Sequence, residues 1–337
     1  MSTSVATPPP QGRRMVAVAI LVSALAAIAL WAFAWPNART APRDLPLGVA
    51  GPASATAPLQ SRLAEHKGAF EIHRYADEAA ARDAIEDRAV YGAVVVTPRG
   101  TKLLTASAAS PLVAQLLEQS VAGQAPKGAE VTTTDVVAAP ANDPRGSALG
   151  ASVLPLALAG VAAGAIVTML GLRGVRAAAS LVLAAALVGV VAAAVTHSWL
   201  GVLTGNWWAE AGALGLSTLA MGATVAGCAA LIGPAGIGVG ALTMVLLGNP
   251  FSGVTSAPRM LPEPLGFIGQ LLPPGAGGTL LRSVSFFDGA RVTGPLVTLA
   301  LWALLGLTAV LLGALRRRPA AAARDEAPAA REEVRVA

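Results

Sequence analysis

The chain has 337 residues, of which 54% are hydrophobic and only 13% charged, about half the charged share of an ordinary soluble domain. The formal charge of +5 is not gathered into one basic face, which argues against an electrostatic nucleic-acid binder. Cys228 is the single cysteine, so an intramolecular disulfide and a zinc site of clustered cysteines are both excluded.

The first fourteen residues carry Pro8-Pro9-Pro10 and then Arg13 and Arg14, a short cytoplasmic tail expected to lack structure. Met15 to Trp35 is uncharged, apolar and long enough to cross ~30 Å of hydrocarbon. Ala32-Phe33-Ala34 mimics a signal-peptidase site, but the apolar stretch exceeds the roughly 7–15 residues of a signal peptide. An uncleaved first transmembrane helix over 15–35 is therefore expected, with a cleaved signal as the alternative.

Residues 36–146 differ in kind. They hold 11 basic and 12 acidic residues, more than half of the chain's 24 basic plus 19 acidic side chains. Strand patterns at Leu45–Ala50, Phe70–Tyr75, Tyr91–Thr97, Lys102–Ala106 and Val131–Ala138 alternate with amphipathic helix patterns at Pro58–Lys67, Asp77–Arg88 and Pro111–Val121. The alternation predicts one small layered α/β domain. With Arg13 and Arg14 inside, it lies outside the cell.

Five more apolar segments follow within 147–315, at about Ala148–Leu172, Val175–Leu200, Ala211–Ile232, Ala235–Leu247 and Val292–Leu315. Seven arginines (Arg13, Arg14, Arg173, Arg176 and Arg316 to Arg318) fall at ends assigned to the cytoplasm, and Trp199, Trp207 and Trp208 mark the outer interface. The expected fold is a polytopic α-helical membrane protein with six transmembrane helices and the α/β domain inserted between helices 1 and 2. Both termini lie in the cytoplasm of a bacterial plasma (inner) membrane, and 316–337 forms a disordered tail. The fifth span is interrupted: Pro234 opens it, and too few residues precede Asn249-Pro250 for a straight crossing. Residues 249–291 are too long and apolar for a simple loop, and the Pro/Gly break at 271–283 fits short helices dipping back into the membrane.

Catalytic signatures are absent from the sequence. There is no phosphate-binding GxxxxGK[ST], no dinucleotide GxGxxG between strand and helix, no HExxH and no GxSxG. His66 and His73 read as solvated residues of the α/β domain, and no cofactor or metal is expected. His197 and Glu210 flank the outer loop between helices 3 and 4 and form a candidate polar pair, weighed against two ordinary interfacial side chains in water. Arg282 and Asp288 are read the same way, as charges near the outer surface. With essentially no ionisable residue inside the spans, proton coupling is disfavoured. The spacings Gly160–Gly164 and Gly236–Gly240 serve helix packing, within one subunit or at a dimer seam. The candidate translocation region comprises Asn249, Pro250, Gly253, Pro273, Pro274, Gly275, Gly278, Arg282 and Asp288.

AIEDRAVYGAVVV at 84–96, GNPFSG at 248–253 and LPPGAGGTLLRSVSFFDGA at 272–290 carry a family resemblance. With the six spans and the broken fifth segment, the chain resembles permease subunits of ABC transporters of the type 2 exporter class. The version with a large outer domain is similar to the phage infection protein family and related actinobacterial membrane proteins. The resemblance implies a non-enzymatic permease, paired as a homodimer or heterodimer in the lipid bilayer. A separate cytoplasmic ABC ATPase would energise it to export a lipid, drug or polymer. The alternative is a non-transporting membrane protein whose outer domain binds a cell-wall component, a phage or a protein partner. An intramembrane enzyme is disfavoured for want of an acid/base pair.

Overall fold

The computed structural model describes residues 11–65, 67–97, 100–124 and 131–336; residues 1–10 of the N-terminal tail, His66 and Lys127 lie outside them. Five helices are long and apolar enough to cross a membrane. They are α1 (Gln11–Ala38), α5 (Ser147–Met169), α6 (Gly174–Ala193, prolonged by π-helical turns to Trp199), α7 (Trp207–Ile232) and the first half of α11 (Thr293–Val336). The apolar helix Ala235–Gly248 is shorter, about 20 Å at 1.5 Å per residue. Its first half is α8 (Ala235–Ala241), and its second half is π-helical. α11 continues as one helix past 315, across the stretch whose composition predicts no structure.

Between α1 and α5 the chain builds a five-stranded sheet from β1 (Leu45–Ala50), β2 (Phe70–Tyr75), β3 (Gly92–Thr97), β4 (Gly100–Thr105) and β5 (Val131–Asp135). The strand order is β2-β1-β3-β4-β5, parallel except for the β3–β4 hairpin. α2 (Ala53–Glu65) and α4 (Pro111–Gln124) cover one sheet face, and α3 (Glu78–Glu86) covers the other. The period-2 rule assigns the two faces: Leu45, Leu47 and Val49 of β1 point to the α2/α4 layer, while Ala50 points to α3. α3 starts where Asp77 caps it, its carboxylate accepting from the Ala80 N–H at 2.9 Å.

In the bundle α7 is the hub. Small residues let its neighbours approach to backbone contact. Gly160 and Gly164 of α5 lie against Thr218–Ala226, Gly189 of α6 against Ala211 and Gly215, and Gly306 of α11 against Ala223. Gly236 and Gly240 of α8 face Cys228 and Val225 of α7. Both GxxxG spacings are thus spent within one chain. α1 stands apart, nearly all of its apolar side chains exposed, and meets the rest near its C-terminal end, where Ala32 and Pro36 are buried and Trp31 lies edge-on to Phe251 at 6.4 Å.

Candidate functional site

Residues 249–291 join the bundle to the α/β layer. Pro250 ends the π-helical run, and the chain makes a 3-10 turn at Pro250–Ser252 before Gly253 reverses it at φ 66°, a left-handed geometry suited to glycine. A second turn at Pro258–Met260 leads to α9 (Leu265–Leu271) and α10 (Pro273–Phe286). Pro273 and Pro274 open α10, where the missing N–H groups have no intrahelical partner to lose. α9 and α10 fold back on each other at glycine-only distance: a Cβ on Gly269 would collide with the Phe251 carbonyl, and one on Gly275 with the Gly269 carbonyl.

Three side chains that sequence reasoning passed over stitch this fold. Gln270 donates to the Ser252 carbonyl at 2.9 Å and accepts from the Thr279 hydroxyl at 2.6 Å, and Trp302 of α11 donates to the Leu271 carbonyl at 2.8 Å. Polar residues inside apolar runs were the available signal, but only the folded geometry pairs them.

The candidate residues separate into three groups. Pro273, Pro274, Gly275 and Gly278 are buried packing positions; Gly278 meets Val254, and Pro274 meets Gly248. Asn249 and Pro250 instead line a cleft of about 400 Å³ at the side of the bundle, walled by Phe33 and Asn37 of α1 and by Leu154 and Pro155 of α5. Arg282 and Asp288 are not brought together: Asp288 is exposed, while Arg282 is only 5% exposed and donates to the Val254 carbonyl at 2.9 Å. Arg282 is therefore not a surface charge. The small residues that open α10 let it settle onto α7, and one turn after Gly278 the helix carries Arg282 inward against Val254.

No ion pair joins Arg282 to a carboxylate among the described residues, and its Nε and the Ser285 hydroxyl are buried without a hydrogen-bond partner. Beside it, Arg88 reaches out of the α/β layer. It donates to the Thr279 carbonyl at 3.2 Å and to the Ser283 hydroxyl, and its guanidinium lies 5.2 Å from the centre of the Phe287 ring. Burial lowers the pKa of Arg88 from the ordinary guanidinium value. Arg291 donates to the Asp87 carbonyl at 3.2 Å. Phe287 packs into the α3 side of the sheet, whereas Ala257 and Met260 pack into the α2/α4 side. The same segment therefore touches both faces of the α/β layer and also the bundle core.

His197 and Glu210 do meet, His197 Nδ1 lying 2.8 Å from Glu210 Oε2. The surroundings differ from the watery pair considered in the sequence. Glu210 is 0% exposed, and its other oxygen accepts from the Gly205 N–H at 2.8 Å. The carboxylate sits in the first turn of α7, where the helix dipole favours negative charge, and it pins the 200–206 turn to that helix. Elsewhere, His73 lies 3.4 Å from Glu71 on β2, both exposed. Among the described residues no group of three or more His, Cys, Asp or Glu side chains converges.

No protein-family profile, curated protein or solved structure matches the chain. What is established is a helical architecture with five helices suited to a membrane.

Proposed function

We propose that the chain is the membrane-embedded permease subunit of an ABC-type exporter, energised by a separate cytoplasmic ATPase. It crosses a bacterial plasma membrane six times, the Ala235–Gly248 helix and the folded-back segment together making the fifth crossing. Both termini are cytoplasmic, and the α/β layer lies outside. Arg13, Arg14, Arg173 and Arg176 at one end of the spans, with Trp199, Trp207 and Trp208 at the other, support this orientation.

One observation carries the reading. Residues 249–291 pack against α7 and grip both faces of the outer layer, so a shift of the bundle core is transmitted to the α/β layer. A domain held only for display would need a single span as its anchor. The side cleft at Asn249 and Pro250 offers an amphiphile an approach from the bilayer. Transport driven by a partner also fits the scarcity of ionisable side chains in the spans.

The test is reconstitution in vesicles with the ATPase encoded beside the gene, reading ATP-dependent efflux of lipid or dye. Stimulated efflux is expected, weakened by substitutions at Asn249 or Pro250. An active ATPase with folded permease and no efflux, together with repeated purification from native membranes without any nucleotide-binding protein, would overturn the proposal.

A further inference from the structure

The α/β layer contains a cavity of about 470 Å³ between α2 and α4, floored by the sheet. This lies within the roughly 300–1,000 Å³ of ligand pockets, whereas packed interiors leave few voids larger than a water molecule. Leu47 and Val94 form the floor, and Leu59, Leu63, Leu116 and Leu117 form the walls. About fifteen waters at roughly 30 Å³ each would fill the space, but aliphatic walls give them few partners. Arg62 stands at the exposed rim. Among the described residues it makes no ion pair, and no carboxylate lines the cavity.

We propose that this cavity holds the acyl chain of an anionic amphiphile, its tail between α2 and α4 and its head against Arg62. A mostly aliphatic chamber with Arg62 as the one cation lining it among the described residues matches a long tail ending in one negative group, and besides Arg62 only the Thr101 and Ser120 side chains offer a polar group. The cavity's place in the chain fits the ligand. Pro42, part of its wall, follows the end of α1 at Ala38 by only four residues, so the layer stands beside the bilayer. The proposal is independent of the transport reading, because it concerns the α/β layer and not the 249–291 segment.

The test uses the full chain in nanodiscs and three photoreactive probes carrying a terminal diazirine: palmitic acid, its uncharged alcohol analogue and a phosphatidylglycerol. After irradiation, crosslinked peptides are mapped by mass spectrometry. Crosslinks in 53–65 and 111–124 are expected, falling at least tenfold in Ser120→Trp, which fills the mouth from a half-buried position of α4. Arg62→Gln is expected to weaken labelling by the acid about tenfold and to leave labelling by the uncharged alcohol analogue unchanged. Crosslinks from the free acid identify a soluble fatty acid as a source, and crosslinks from the phospholipid alone identify the bilayer; both support the site. Crosslinks confined to the membrane helices, or retained in full by a Ser120→Trp protein that elutes as a single folded species, would overturn it.

Discussion

The α/β layer and the helical bundle weight large and small side chains differently in their packing. In the layer, the largest fully buried side chains are long aliphatics: Leu45, Leu47, Ile85, Leu103, Leu104 and Leu117. In the bundle, alanine and glycine occupy many of the closest contacts, with Ala157, Ala193, Ala220 and Ala223 fully enclosed. Some long side chains fill its centre, Leu181, Leu214, Met221, Met244 and Leu299 among them, but many others face outward: Leu183 is 63% exposed, Leu304 61% and Leu305 68%. Water drives large apolar groups inside. Lipid tails are as apolar as leucine, so helices there associate through close van der Waals fit at small residues. One chain thus carries two packing logics, each suited to its own solvent.

The sharpest way to break this contrast is to enlarge a small residue at the hub. Gly306→Leu places a side chain into the backbone of Ala223 and Thr224, which cannot swing aside as the end of a side chain could. Loss of the monodisperse species on size exclusion is expected. Next in size is Leu103→Ala on β4, expected to cost about 2–5 kcal/mol as a cavity-forming change in a core from which water is excluded. Urea-dependent proteolysis of the α/β layer reads it.

Glu210→Ala follows. It leaves the Gly205 N–H and His197 without their acceptor, at about 1–3 kcal/mol. A lower melting midpoint in detergent, rescued in part by Gln at 210, would check it. Leu304→Ala should be the smallest, within about 0.5 kcal/mol, because this exposed leucine faces lipid. A loss comparable to that of Leu103→Ala would collapse the distinction between the two regions.

Much of the architecture was legible in the sequence, since the alternating strands and the long apolar runs are local signals. Positions fixed by long-range contact were not. The hydropathy reading starts the fourth helix at Ala211, but the Asn206 side chain caps it by accepting from the Ala209 N–H, so α7 begins at Trp207. Glu210 then falls inside the first turn, not in a loop, and is buried. Arg282 was read as a surface charge for a similar reason: its helix face is set by how α10 packs on α7. Nor does any local pattern tell that Arg88 bonds a serine 195 positions away. Hydropathy likewise marked 249–291 as unusual, yet it could not tell the buried prolines of α10 from the cleft-lining Asn249 and Pro250.

The claim of two solvents on one chain is tested most directly by single-cysteine labelling in intact cells. In a Cys228→Ala background, a membrane-impermeant maleimide is offered to Ala55→Cys in the α/β layer and to Gly174→Cys at the first residue of α6. The account predicts rapid labelling at 55, and labelling at 174 only after the membrane is opened. Labelling of both sites in intact cells, or of 174 alone, would contradict it.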